Sequence, residues 1–561
     1  MWITVSANGF GSARAAHGHY CRCMSSIRAA ELYAALSLTT DLATGMPFEK
    51  GLATCLVATD LAERIGLPEA DRRAVFHAAL LGDLGGTGRA SENAESYADD
   101  IAFQRACHVL DPGDSAVFTE QLRRFGGWAP AAQSALRNRF VARLRAGAPR
   151  ALRSSNEVVQ ALGSQLGLPE AAVRALTEVE ERWDGLGAPN GLRGESISLV
   201  GRIVHVAEQA VLALDAVGED LATVPGHGDA DPVSATASHR TPRSALRTVA
   251  RRQGVVVDEL RRRARGHLDP ELVAVCDADA LRAVLDVPDL LAAVLTAEPG
   301  TPATLPAAEL DRPGSALAMV VDLKGRYLLG HSAHVAGLAD AAAVRMGVPA
   351  DERAALRAAA LLHDLGRVAV SSAVWDRRGP LGPWDWKRVR RQGYWTDRIL
   401  RRCPGLAPLA DLAAGHRERL DGSGYPRGKR DLAPGTRLLA AADVFAACTE
   451  ARPYRPAARP EEAAAQLAAE VAAGRLDGDA CAAVVRAGAE HTVPAAHGLS
   501  ETETDILRLS ARGRCGREIA AELLMSERTV THHLAEIRAR TGHRTRAGAA
   551  VFAMANQILP G

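Results

Sequence analysis

The sequence predicts an all-α chain: two tandem helical bundles followed by a small four-helix segment. Three observations carry that expectation. Ala and Leu dominate a hydrophobic content of 47%, while aromatic residues make up only 4%, a core composition suited to close helix packing. Apolar residues recur at helical spacing, as at Leu356, Ala359, Ala360, Leu361 and Leu362, and period-2 alternation is scarce. The chain also repeats itself. Residues 66–86, "GLPEADRRAVFHAALLGDLGG", and 347–367, "GVPADERAALRAAALLHDLGR", agree at 11 of 21 positions with a constant offset of 281. "ERWDGLGAPNG" (181–191) agrees with "ERLDGSGYPRG" (418–428) at seven of 11 positions, and an Arg-led apolar segment follows each, at 201–210 and 436–447. Three matched blocks in the same order indicate a duplicated domain.

A length of 561 residues exceeds what one core can fill and suits three or four domains. Pro/Gly-rich stretches at 223–244, 297–314 and 493–498 mark the seams. The expected division is an extension over 1–26, a first bundle over 27–296, a second over 308–490, and a last unit over 499–561. The formal net charge is +1, so overall charge predicts no partner and any basic patch must be local. Lysine is rare, at Lys50, Lys324, Lys387 and Lys429, and arginine supplies most positive charge. Nine scattered cysteines without a CxxC pattern suit a reducing cytoplasm rather than a disulfide framework. No apolar run reaches the ~18–20 residues of a membrane span, and a cytoplasmic protein without a membrane partner is expected. The first residues lack a signal-peptide core. His17, His19, Cys21 and Cys23 form a metal-capable group there, but the stretch reads as a disordered or mis-started extension before Met24.

The second copy gathers metal-capable side chains. They are His331 in "GHSAHVAGLAD", His363 and Asp364 in "LLHDLGR", His416 in "GHRERLDGSGYP", and Asp443 in "AAADVFAA". A divalent cation in a helical bundle needs imidazole and carboxylate groups converging from different helices. Asp364 and Asp443 sit within Ala/Leu-rich helices, where a carboxylate is costly unless paired or ligated.

Taken together, "GHS", "LLHDLGR", "ERLDGSGYP" and "AAADVFAACTEARPYR" resemble an HD-GYP domain, a subgroup of the HD metal-dependent phosphohydrolases, over roughly residues 320–458. The resemblance implies that His331, His363, Asp364 and Asp443 ligate a divalent metal such as Fe or Mn, with His416 a further ligand. It places the Gly-Tyr-Pro motif, as a ligand-binding element, on Gly424, Tyr425 and Pro426, and a phosphate-holding cation on Arg367, which with Asp364 makes the catalytic pair. Its substrate class is a cyclic dinucleotide or other phosphoester. Two departures stand out. Gln392 takes the place of a histidine in the helix after the HD pair, and His416-Arg417 replaces His-His. Arg417 brings positive charge to where a second metal would bind, which disfavours that metal. One ion with Arg367 could still activate water, but the missing ligands imply impaired phosphodiesterase chemistry and favour sensing over turnover.

In the first copy Lys50 stands for His331, Gly82 for His363, Val179-Glu180 for the histidine pair and Glu208 for Asp443, while Asp83 is kept. "GLGAP" lacks the tyrosine of the GYP motif. No metal is expected here. This copy reads as a degenerate HD fold serving dimerisation, ligand sensing or packing.

From 499 the texture changes. Ser500 with Glu503 forms a capping box before a helix bearing Ile506, Leu507 and Leu509. A short helix follows with Ile519, Ala520 and Leu523 inward, then a tight turn, "LMSE". Ser526 caps a third helix whose stripe is Val530, Leu534 and Ile537, leaving Arg528, Thr529, Thr531, His532, His533 and Arg538 outward. This is the helix-turn-helix layout. Residues 512–546 hold eight Arg and four acidic residues, a local excess suited to a phosphate backbone. The segment, about 499–556, resembles the LuxR-type helix-turn-helix in "LSxxExxIL", "EIAxxL" and "SxRTVxxHxxxIxxxT". The resemblance implies double-stranded DNA as partner, a homodimer on inverted half-sites, and phosphate contacts from Arg528 and Arg540. The whole arrangement resembles bacterial, actinobacterial-type regulators, and predicts a transcription regulator whose HD domains sense a nucleotide or metal or mediate dimerisation. An active phosphodiesterase fused to a DNA-binding tail is the alternative.

Overall fold

The computed structural model describes residues 26–109, 149, 151–222, 242–306, 309–490 and 498–559. The His17/His19/Cys21/Cys23 group, residues 223–241 of the seam at 223–244 and residues 493–497 of the seam at 493–498 lie outside the described residues. The described chain is α-helical; its one sheet is a two-residue antiparallel pairing of Ile27–Arg28 with Thr304–Leu305, which ties the start of the first bundle to the segment joining the two copies.

The repeat in the sequence is a repeat in space. Helix Lys50–Arg64 of the first copy corresponds to His331–Arg345 of the second, Glu69–Leu80 to Ala350–Leu362, and Leu199–Ala222 to Pro434–Thr449. Pro68 and Pro349 precede equivalent helices, each in an extended conformation that suits the entry to a first turn. The "ERxDGxG" loops are built alike. Glu181 accepts the backbone N–H of Asn190 and Leu192, each at 2.8 Å; Glu418 accepts those of Arg427 at 2.7 Å and Lys429 at 2.9 Å. A Cβ on Gly187 or Gly424 would lie 2.4 Å from the backbone of its own loop, so both positions require glycine.

One contiguous apolar core runs through both bundles and the C-terminal unit. The bundles are also joined by a fully buried ion pair. Lys324 Nζ lies 2.6 Å from Asp100 Oδ2, and Asp100 further accepts from Ser371 Oγ and Ser372 N, each at 2.8 Å. Two of the chain's four lysines, Lys50 and Lys324, are buried, each paired with carboxylate.

The C-terminal unit is four helices: Glu501–Ala511, Gly516–Glu522, Glu527–Thr541 and Arg546–Ala555. Ser500 and Glu503 form the expected capping box, Ser526 caps the third helix through Thr529 N, and Thr545 caps the fourth through Gly548 N. This unit is seated on the bundles. Arg546 makes a two-pronged pair with Glu92, while Glu157 accepts from Arg544 N at 2.9 Å, Thr545 N at 3.0 Å and Thr545 Oγ1 at 2.7 Å. Among the described residues, no helix is long and apolar enough to cross a membrane.

Candidate metal centre and nucleic-acid interface

Four helices of the second copy bring His331, His363, Asp364, His416 and Asp443 to one buried point, each no more than 2% exposed. His331 opens its helix at N1, after Gly330 in the left-handed region. His363 and Asp364 follow the end of Ala350–Leu362, where the chain tightens into a 3₁₀ turn. His416 sits in a second 3₁₀ turn and Asp443 in the middle of Pro434–Thr449.

The ring orientations leave one face open. His363 Nδ1 faces Ala360 O at 2.6 Å and His416 Nδ1 faces Ala413 O at 2.8 Å, which fixes both as Nδ1–H tautomers and turns both Nε2 atoms inward as acceptors. His331 Nδ1 faces Glu450 Oε2 at 2.9 Å and its Nε2 points to Asp443 Oδ1 at 3.3 Å. His363 Nε2 lies 3.5 Å from Asp364 Oδ2 and 3.8 Å from Asp443 Oδ1; His416 Nε2 lies 3.5 Å from Asp364 Oδ1. His363 Nε2, Asp364 Oδ1 and His416 Nε2 are buried without a hydrogen-bond partner. Buried polar atoms are rarely left so, and imidazole nitrogens with carboxylate oxygens are a donor set suited to a divalent transition metal. The residues fit a cation.

The electrostatics agree. Burial, with His363 and Arg417 nearby, pushes His416 down to about 4, so it is neutral and able to ligate. Burial opposes ionisation of Asp364 and Asp443, yet Arg367 and the histidines hold Asp364, and Arg417 holds Asp443, well below the usual carboxylate range. Burial also opposes protonation of His331, but Glu450 and Asp443 outweigh it and raise the group to about 9.

The two departures take definite positions. Arg417 Nη1 lies 3.1 Å from Asp443 Oδ2, so a guanidinium already pairs with the carboxylate face that the other ligands leave open. Gln392, 1% exposed, donates through Nε2 to Tyr425 Oη at 3.0 Å. Tyr425 is thereby tied to the helix after the HD pair, and Pro426 packs where a Cβ on Gly393 would meet it at 2.9 Å. Arg367 is buried, pairs with Asp364 and lies over the Trp375 ring at 4.4 Å. Two residues escaped the sequence reading: Glu450, which orients His331 and also accepts from His334 and Arg452, and Arg452 itself.

In the first copy an ammonium stands in the equivalent place. Lys50 Nζ lies 3.1 Å from Asp83 Oδ2 and also pairs with Glu208. His108, not foreseen from sequence, joins them, with Nε2 at 3.2 Å from Asp83 Oδ1 and Nδ1 at 3.9 Å from Glu208 Oε1. At the offset relating the copies, His108 falls three residues from Gln392, which is the signal that could have found it. Lys50 and Asp83 hold each other ionised against burial, and burial raises Glu180 beside them.

On the third C-terminal helix Arg528, Thr531, His532, Arg538 and Arg540 are exposed, while Thr529 and His533 are half-buried. This differs from the outward placement of all six polar positions. Thr529 belongs to the cap, with Oγ1 at 2.7 Å from Ser526 Oγ. His533 turns toward Glu503 and Glu536, and Arg540 spends part of its charge on Glu503 at 2.9 Å.

Comparison with known proteins follows this division. Residues 315–480 match the HD domain family and residues 497–553 match the bacterial regulatory proteins, luxR family. Over 478 residues the chain is 28% identical to 3'3'-cGAMP-specific phosphodiesterase 3 of Vibrio cholerae, covering 82% of this chain and 94% of that protein. It is 33% identical over 150 residues to a cyclic di-GMP phosphodiesterase of Thermotoga maritima, covering 26% of this chain and 40% of that protein. A crystal structure of a cyclic GMP-AMP specific phosphodiesterase of V. cholerae superposes with a TM-score of 0.53 at 24% identity, over 83% of this chain and 99% of that one, and so shares its fold. The chain carries an HD-GYP-like HD domain, preceded by a degenerate repeat and followed by a LuxR-type helix-turn-helix DNA-binding domain.

Proposed function

We propose that this protein is a DNA-binding transcription regulator whose second HD domain holds one divalent cation and senses a phosphoester of the cyclic-dinucleotide class. The observation that carries the reading is the Arg417–Asp443 pair. It puts a fixed positive charge beside a site that keeps ligands for one cation, on a chain that ends in a DNA-binding domain. His331, His363, Asp364 and Asp443 would hold the ion, with His416 as a further donor; bound there, it would act as a Lewis acid toward a phosphoryl oxygen. Arg417 offers a guanidinium suited to bidentate phosphate contact. Arg367 positions Asp364 through their ion pair. DNA is contacted through Arg528, Thr531 and His532 at the exposed start of the recognition helix, with Arg538 and Arg540 on backbone phosphate. The protein is expected to act as a homodimer and to reside in the cytoplasm.

The second reading, an active phosphodiesterase, draws on the relatives, whose names include 3'3'-cGAMP-specific and cyclic di-GMP phosphodiesterases. One experiment separates the two. The full chain with Mn2+ is incubated with 3'3'-cGAMP and cyclic di-GMP, while binding and product are followed together, and bound genomic fragments are selected with and without nucleotide. Nucleotide binding without turnover, with a change in DNA affinity, supports the sensor. Multiple turnover at rates of ~1 s⁻¹ or above, in the ordinary enzyme range, supports the enzyme. No DNA selected by the chain, or selection unchanged in Arg528→Ala/His532→Ala, contradicts the regulator reading.

A further inference from the structure

The turn over residues 324–331, "KGRYLLGH", touches all three folded units. Lys324 makes the buried pair with Asp100 of the first bundle. Arg326 Nη1 and Nη2 reach Glu95 of the first bundle at 2.7 and 2.6 Å, and its side chain also lies against Gly513 of the C-terminal unit, where an added Cβ would stand 3.3 Å from Nε. Gly330 lies against the last described residues, since a Cβ there would be 3.4 Å from Leu559 Cβ and 3.7 Å from Leu559 O. Leu559 is 6% exposed, and Ile558, fully buried, accepts from Arg508 Nε at 2.7 Å. The turn then ends in His331.

A second path closes the same circuit. Glu450 Oε2, at 2.9 Å from His331 Nδ1, is gripped by Arg452 Nη2 at 2.8 Å, and Arg452 Nη1 donates to Tyr327 O at 2.5 Å. Both the chain and this hydrogen-bond relay therefore lead from the candidate ligand to the surface on which the DNA-binding unit rests. Arg512 of that unit is half-buried and within the electrostatic reach of Glu450.

We infer that the turn 324–331 couples the cation site to the seating of the DNA-binding domain: a cation on His331 stabilises the seated arrangement, and the seated domain in turn tightens cation binding. The physical reason is geometric. The inward nitrogen of His331 stands 3.3 Å from Asp443 Oδ1 and 3.9 Å from Asp364 Oδ2, within the roughly 3–4 Å that separates ligand atoms each ~2.1 Å from one ion, so a cation could join all three with His331 where it stands. A cation there would tie His331 Nε2 to Asp364 and Asp443 while its Nδ1–H stays on Glu450, so the turn and the relay would be held in one arrangement. Coupling between two sites is reciprocal in binding free energy, which supplies the test.

The inference rests on the reading of the second HD site as a cation site, and the experiment keeps the two apart. Mn2+ affinity is measured by titration on the full chain, on Leu559→Asp and on Arg326→Ala, and hydrogen exchange is followed in wild type with and without Mn2+. The expected result is at least about fivefold weaker Mn2+ binding in both variants, within the usual ~5–150-fold span of coupling. Amides of 546–559, which offer no ligand to the site, should exchange at least about fivefold more slowly with Mn2+ than without. Arg326→Ala leaves the C-terminal unit's own core intact, so it answers for any misfolding of Leu559→Asp. Wild-type affinity in Arg326→Ala, with exchange over 546–559 indifferent to Mn2+, overturns the coupling and leaves the cation site standing. No Mn2+ binding by the wild type overturns both.

Discussion

Lys50 stands where His331 stands in the second copy, and its removal gives a prediction that can be worked through. Its ammonium lies between Asp83 and Glu208, at 3.1 Å from the former, and is 5% exposed. Lys50→Ala strips the buried carboxylate of Asp83 and the half-buried one of Glu208 of their main counter-charge. Breaking a buried pair from one side costs about 3–5 kcal/mol, which for a domain of this size lowers the unfolding temperature by roughly 10 °C. The vacated place is not inert. Asp83, His108 and Glu208 present ligand atoms within 4.8 Å of one another, so the variant exposes a three-ligand set that Lys50 blocks. Zinc at about 100 times its dissociation constant then restores ~2.7 kcal/mol. The assay is differential scanning calorimetry of wild type and Lys50→Ala at matched zinc concentrations, the wild type accounting for zinc held elsewhere. The expectation is a large loss without zinc and a gain with zinc greater than in wild type. A variant that melts with the wild type, or that zinc raises no more than the wild type, refutes the idea that Lys50 serves as the first copy's cation.

Three further outcomes follow from the same geometry. Arg417→His removes the guanidinium on Asp443 and supplies a donor beside His416; bound metal should rise from about one to about two ions per chain by elemental analysis, because a divalent ion ~4 Å from a fixed cation at an effective dielectric of ~20 is opposed by about 8 kcal/mol. Since His331 is raised to about 9 in the metal-free protein, the cation displaces a proton below that pH, so affinity should fall about tenfold per unit as pH drops from 8 to 6, and a flat titration profile contradicts this. Asp100→Ala leaves Lys324 buried without its carboxylate and should cost about 3–5 kcal/mol in urea unfolding, whereas an exposed pair would cost under ~1.

The local features were the legible ones. A constant offset with 11 of 21 identities placed Lys50 and Asp83 opposite His331 and Asp364, the matched Arg-led segments placed Glu208 opposite Asp443, and the three come together in space as their counterparts do. Caps at Ser500 and Ser526 lay in short-range patterns, and the helices begin there. What escaped depends on contacts between distant parts of the chain. His108 enters the first site from a helix outside every matched block. Asp100 and Lys324 are 224 positions apart, and no periodicity links them. Glu450 sits seven positions after Asp443 in an otherwise recognised motif, yet its role appears only once His331 faces it across 119 positions. His533 was read as outward because helical spacing assigns a face, whereas the side chain is half-buried, with Glu503 and Glu536 within 4.8 Å.

The central claim is that His331, His363, Asp364 and Asp443 hold one divalent cation. The most direct test is the metal content of the full, untagged chain purified without chelator, with Fe, Mn, Zn, Mg and Co determined per chain beside Asp364→Asn. About one ion per chain, lost in Asp364→Asn, is the result the geometry predicts. No ion in either protein, or an ion retained by Asp364→Asn, contradicts it.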